Sequence, residues 1–352
     1  MRATRTSVTR SILASLIGLC GVVCAGSGQS LAADEPRQPV QIQFSLDRPI
    51  DAGAAPLVMA TAGGLFSAEG LAVTTNIASG SADAIKRVAD GSSDFGLVDI
   101  NVLARFRDKP GAAPVKAVFV LFNQAPYAIV ARKSRGIHAL GDLEGKILGV
   151  AEGDFSIWFW PALAHQNGIK LASVKQAKIS PAVREPMLSA GQVDAVTAFS
   201  YLAGVNLRDR GVPADDLAVM RYADYGCDAY GFAIIVNPAL AAAKPEAVKG
   251  FVRAVIGGTH LAVKDPGRAV TEVVSRMDGG LRDLELERLH TVIRDNILTG
   301  EVKRNGLGGI DPARFERSLD QLAEDHKFQK RPQASDIFDG AFLPPINGRL
   351  IN

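Results

Sequence analysis

The sequence predicts an α/β protein of two lobes, each a mostly parallel sheet flanked by helices. Three observations carry that expectation. Short apolar runs alternate with segments of helical period along most of the chain, as parallel strands joined by helical crossovers do. The pattern occurs twice, with a faint echo between residues 89–96 and 189–196. In both stretches a helix ends at a glycine and an aspartate opens an apolar strand. Finally, the chain after residue 236 is helical by period, so one reading has it leave the first lobe near Ala131, build the second, and return near Phe232. Two crossings form a hinge, and a hinge between α/β lobes makes a closing cleft. The lobes are expected at residues 40–130 with 232–345, and at residues 131–231.

The elements follow in order. Residues 40–46 alternate and read as the first strand, and residues 56–62 as a short helix stopped by Gly63 and Gly64. A second strand over 71–77 leads through Ser79-Gly80-Ser81 into a helix over 82–89. Strands are expected at 94–98, 115–122 and 127–131. The second set runs strand 147–150, helix 157–165, strand 174–179, helix 184–190 and strand 193–198, with Pro186 tolerated in a first helical turn. Phe232 to Val236 is apolar and largely β-branched before Asn237-Pro238 breaks it. Helices are expected over 245–263, 266–277, 283–298 and 312–324.

Residues 1–32 read as a secretory signal peptide rather than fold. Arg2, Arg5 and Arg10 make a basic start, residues 12–24 are apolar, and Ser30-Leu31-Ala32 offers the small residues that a signal peptidase reads. The whole chain carries 39 basic and 37 acidic side chains. Losing three arginines leaves it near neutral, which favours neither nucleic acid nor an anionic membrane surface. Of three cysteines only Cys227 then remains, so core burial must supply the stability that disulfides cannot. The mature chain, expected near Ala33 onward and outside the cytoplasm, is long enough for two lobes.

Several short motifs carry a family resemblance. Gly141-Asp142-Leu143-Glu144-Gly145-Lys146, opening the strand 147–150, looks like a "DLxGKxxGV" turn. Gly64 to Leu71 looks like "GxFxxEGL", and Gly91 to Gly96 like "GxxDFG". Pro245-Glu246-Ala247-Val248 with Phe251, Ala254 and Asp265-Pro266 resembles a C-terminal helical set, and Phe342-Leu343-Pro344 a closing "FLP". Together they span roughly residues 40–345 and resemble type II periplasmic solute-binding proteins. The nearest branch is the one with binders of alkanesulfonates, nitrate, taurine and thiamine pyrimidine precursors. The resemblance implies a monomeric receptor of an ATP-binding-cassette importer, handing a small organosulfonate or pyrimidine-like ligand to a permease and ATPase, without a cofactor. Pyrimidine synthases that share this fold carry a cysteine-rich, iron-associated motif. Here only Cys227 lies beyond the leader, and His138, His165, His260, His290 and His326 lie far apart. The chain is therefore expected not to be an enzyme. An enzyme on the same fold and a sensor feeding a signalling partner are the alternatives.

Candidate ligand residues cluster at predicted strand ends, where open α/β sheets bind their ligands. Ser79, Gly80 and Ser81 offer free N–H groups and hydroxyls to an anionic group, with an ordinary helix cap at Ser81 as the rival reading. Asp47, Arg48 and Asp51 follow the first strand. The resemblance puts an acid beside aromatics near that place, and Arg48 departs from it. Asp99 and Asn101 follow the strand 94–98. After the strand 147–150 come Glu152, Gly153, Asp154 and Phe155, then Trp158, Phe159 and Trp160. Both tryptophans of the chain lie in this run. Phe155 and Trp158 are expected to wall a planar ligand, and Phe159 to pack in the core. Tyr222, Tyr225, Asp228 and Tyr230 surround the return crossing, and Tyr201 follows a strand of the same lobe. Interlobe packing is the rival there, and Cys227 reads as a buried small hydrophobe. The ligand is expected to be small, planar or partly apolar, with an anionic or strong acceptor group.

Overall fold

A computed structural model describes residues 38–351; the signal peptide expected over residues 1–32 lies outside them. The strands are β1 (Val40–Leu46), β2 (Leu71–Ile77), β3 (Phe95–Asp99), β4 (Lys116–Val120), β5 (Tyr127–Arg132), β6 (Ile147–Ala151), β7 (Lys175–Ile179), β8 (Ala195–Phe199), β9 (Leu217–Arg221) and β10 (Phe232–Val236). They form two five-stranded sheets, ordered β2-β1-β3-β10-β4 and β7-β6-β8-β5-β9. In the first, β1 runs parallel to β2 and β3, while β10 is antiparallel to β3 and β4. The second repeats that plan, with β6 parallel to β7 and β8 and β5 antiparallel to β8 and β9. Each sheet thus has one reversed strand beside its central one. The chain passes between the sheets twice, from β4 to β5 and from β9 to β10.

The echo read in the sequence has a physical cause. Gly91 and Gly191 both take left-handed φ values, 82° and 77°, which end their helices at little steric cost. Three residues on, Asp94 and Asp194 do the same work. Each donates its backbone N–H to the strand beside it, Asp94 to the Gln43 carbonyl at 2.8 Å and Asp194 to the Ile147 carbonyl at 3.0 Å. Each carboxylate accepts the N–H of that same residue, both at 2.7 Å. The aspartate closes the mouth of a parallel ladder where no further backbone partner exists.

The first sheet is covered by the long helix Pro245–Lys264. Phe251 on it stacks on Phe95 with ring centroids 4.0 Å apart and touches Phe44 and Phe66. All four rings are buried, and cutting Phe251 to alanine costs about 3–5 kcal/mol. Gly258 lets this helix lie against Ala55–Ala62, since a Cβ there would stand 2.1 Å from the Pro56 carbonyl oxygen.

Some elements differ from expectation. Residues 217–221 form the edge strand β9, which the sequence reading left unassigned. Leu217 to Met220 is a short, unbroken apolar run with Val219 exposed, a pattern that periodicity alone does not separate from a helical turn. The helix expected over 157–165 begins as a 3-10 turn, Phe155–Phe159, before Trp160–Gln166 turns α-helical. Pro161 has no N–H to give and fits only in a first turn. The segment 283–298 ends as a π-helix, Val292–Ile297. Among the described residues no helix is long and apolar enough to cross a membrane.

Candidate functional site

Loops at the carboxyl ends of strands from both sheets converge on a cavity of about 240 Å³. The first sheet contributes Asp47 and Arg48 after β1, and Gly80 and Ser81 where β2 passes into the helix Ser81–Asp90. Opposite stand Ala151 to Phe155 after β6, Pro181 and Arg184 after β7, and Phe199 and Leu202 at the end of β8.

The first-sheet wall is a connected polar network. Asp47, its side chain 1% exposed, accepts both Nε and Nη2 of Arg48 at 2.9 Å and the Ser81 hydroxyl at 2.6 Å. Ser81 Oγ in turn accepts the Asp99 backbone N–H at 3.0 Å. The Arg48 guanidinium lies 3.9 Å from the centroid of Phe232 and 4.8 Å from that of Phe199, a cation clamped between rings and carboxylate. Burial works against its charge, but Asp47 and the nearby Asp51 outweigh that and hold Arg48 above the ordinary guanidinium range.

Behind Ser81 sits the Asp99 carboxylate. It accepts the Tyr127 hydroxyl at 2.5 Å and the Asn101 N–H and side-chain amide at 2.8 and 2.9 Å. Burial pushes Asp99 up to about 7, and these donors only partly offset the rise. Asn101 also donates to the Tyr230 carbonyl at 2.8 Å, so this network ties β3, β5 and the return crossing together. Asp51, raised by burial, accepts the Tyr201 hydroxyl at 3.1 Å and the Gly53 N–H at 2.8 Å.

The structure brings Asp47, Arg48, Gly80, Ser81, Asp154 and Phe155 to one cavity and separates the other candidates from it. Ser79 is exposed and turned toward Asp83, to which its N–H and hydroxyl donate at 3.0 and 3.3 Å. Asp99 lies one layer behind the wall. Tyr201 is buried against Asp51 in a separate crevice of about 10 Å³. Trp158 lines another cavity, about 330 Å³, with Arg105 stacked 3.6 Å above its ring. Tyr225 accepts the Asn167 side-chain amide at its carbonyl, 3.0 Å away. Asp228 pairs with Arg317 at 2.8 Å, because the 222–230 crossing packs on the helix Pro312–Ala323 instead of opening into the cleft. Trp160, Phe159 and Tyr222 are core, and Cys227 is buried, its thiol pushed up to about 12 by that burial. Sequence reasoning did not single out Arg184, Phe199 or Leu202. Phe199 had a readable signal, an aromatic in the last position of an apolar strand, while Arg184 looked like an ordinary first-turn residue.

The sequence profile of the family described as NMT1/THI5 like matches residues 52–269. A 4-amino-5-hydroxymethyl-2-methylpyrimidine phosphate synthase from Legionella pneumophila is 26% identical over 215 residues, 61% of this chain and 66% of that protein. The riboflavin-binding protein RibY of Chloroflexus aurantiacus is 27% identical over 239 residues, 66% of each. The matched stretch thus spans 66% of either relative's own length. Among solved structures, the periplasmic aliphatic sulphonate binding protein SsuA of Escherichia coli superposes with a TM-score of 0.69 at 14% identity, covering 85% of this chain and 91% of that one. The periplasmic nitrate-binding protein NrtA of Synechocystis gives 0.62 at 11% identity, covering 87% of both. The expectation that the chain is not an enzyme is overturned by these relatives. Proteins from Legionella pneumophila, Aspergillus parasiticus and Schizosaccharomyces pombe that match it are named as synthases. With the profile covering more than half its length, on a fold shared with periplasmic binding proteins, this chain belongs to the NMT1/THI5-like family.

Proposed function

We propose that this protein is an extracytoplasmic solute-binding receptor that captures a small organic molecule between its lobes and delivers it to the permease of an ATP-binding-cassette importer. The observation that carries the reading is the cavity itself. Its walls come from strand ends of two sheets joined by two chain crossings, so a ligand touching both favours closure by its differential affinity for the closed state. Asp47, Arg48 and Ser81 supply the polar wall, and Phe155 and Phe199 the apolar one. Periplasmic location fits the periplasmic binding proteins that share the fold and the leader read in the sequence.

The test is native mass spectrometry of protein purified from its own periplasm, followed by small-angle scattering with the retained compound. A bound small molecule and a smaller radius of gyration on rebinding are expected. No retained molecule and no compaction at saturation would overturn the receptor. The synthase relatives support a second reading, a pyrimidine-forming enzyme on the same fold. Release of the phosphorylated pyrimidine named for those relatives by the purified chain would favour it.

A further inference from the structure

Both guanidinium groups at the cavity are already committed to carboxylates of the chain. Arg48 is held by Asp47 through two bonds of 2.9 Å, and Arg184 donates to Glu185 Oε1 at 3.2 and 2.8 Å. The Ser81 hydroxyl is committed too, donating to Asp47 and accepting from the Asp99 N–H. The helix that it opens carries Asp83 in its first turn, which answers the positive end of the helix dipole.

The carboxylates on the opposite wall are not so matched. Among the described residues neither Glu152 nor Asp154 enters an ion pair, and Asp154 accepts only the Ser156 backbone N–H at 2.9 Å. Glu152 is exposed and Asp154 half-buried, both facing the same space as Phe155 and Phe199. Uncommitted charge at this cavity is therefore negative. An anion entering it would meet two like charges, and guanidinium groups whose charge is already answered by Asp47 and Glu185, an arrangement that disfavours it. A cation would meet two acceptors and the negative faces of aromatic rings. One cation already uses such a face, since Arg48 stands 4.8 Å from the Phe199 centroid.

We propose that the cleft cavity selects a molecule presenting a positively charged nitrogen on a planar or apolar body, and disfavours sulfonates, phosphates and carboxylates. This rests on the receptor reading above and replaces the anionic ligand that Ser79-Gly80-Ser81 had suggested.

Calorimetric titration with phenethylammonium and with phenethylsulfonate, one skeleton with opposite charges, tests it. The ammonium is expected to bind about tenfold tighter or more. Added salt should weaken it, and the double substitution Glu152→Gln with Asp154→Asn should reduce the preference to about threefold or less. Circular dichroism checks that the doubly substituted protein keeps its fold; should it not, each single substitution is titrated instead. Tighter sulfonate binding, no measurable binding of the ammonium, or a preference unchanged by the substitutions would overturn the proposal. Compaction in scattering with the sulfonate alone would remove the charge class and leave the receptor standing. Absence of compaction with every retained compound removes the receptor itself.

Discussion

Phe155 and Trp158 stand three residues apart in one 3-10 turn, with ring centroids 5.9 Å apart, yet they face different cavities. Phe155 looks into the space between Asp47, Ser81 and the Glu152–Asp154 loop. Trp158 looks toward Ile85, Val102 and Phe106, and lies under Arg105. The first-named cavity has its arginines bound by carboxylates and its opposite acids uncommitted. At the second, Arg105 pairs with Asp325 and His326 sits 3.2 Å from Asp108, so the acids are the committed partners. The buried carboxylates behind the two also diverge. Asp99 rises to about 7 because burial outweighs its donors. Asp108 feels burial as well, but the N–H groups of Gln329 and Lys330 together with His326 hold it below the usual carboxylate range. Neighbouring aromatics of one run thus acquire different roles from what stands across from them. On the receptor reading proposed above, the tryptophan under Arg105 is a closure contact and the phenylalanine beside unmatched charge a ligand wall.

The largest effect should come from the arginines. Arg48→Ala leaves Asp47 buried without its cation, which costs about 3–5 kcal/mol of stability. Arg105→Ala leaves behind Asp325, whose carboxylate is exposed enough for water to solvate, so the lost stack and pair are worth about 1 kcal/mol. Urea titration of both variants measures the gap, and equal losses would erase the distinction between the two cavities.

Next comes pH. A carboxyl raised when folded binds more protons than in the unfolded chain, where its value is about 3.9. Stability from Asp99 is thus fully present below that value and is lost as pH rises toward about 7, at up to about 1.4 kcal/mol per pH unit. Asp108 has the opposite sign: its contribution is present above the unfolded value and fades as pH falls through its depressed folded one. Asp99→Asn should flatten the neutral limb of a stability–pH profile, and Asp108→Asn the acid limb. A single shared limb for both variants would contradict the assignment.

Binding should separate the two rings. Phe155→Ala is expected to weaken the retained ligand by about 2 kcal/mol, or more than tenfold, as truncating a central aromatic does. Trp158→Ala should change it by less than about threefold. Calorimetry with the compound recovered from the periplasm decides, and a larger loss at Trp158 would return that residue to the ligand wall.

The smallest effect is spectroscopic. Trp160 is fully buried and Trp158 only partly, so fluorescence changes on ligand-driven closure should come from Trp158. Arg105→Gln should remove most of that change, while a signal unaltered by this substitution would show that the Arg105 stack does not report closure.

The features legible in the sequence are local. Alternation places β1, and short, nearly unbroken apolar runs place β3, β6, β8 and β10, because a strand buried on both faces has to be apolar on both. Glycine before aspartate at 91–94 and 191–194 marks a helix stop and a ladder mouth, since left-handed backbone and an orphaned N–H demand those residue types. The fold class followed from the order of such elements. The remaining features arise from long-range packing. It set the reversed strand in each sheet, the clamping of Arg48 between Phe199 and Phe232, and the pairing that leaves Glu152 and Asp154 unmatched. It also turned Asp228 toward Arg317, and Trp158 under Arg105, whose partner lies 220 residues away at Asp325. Charge and ring pairings depend on which distant segments meet in space, and no local periodicity encodes that meeting.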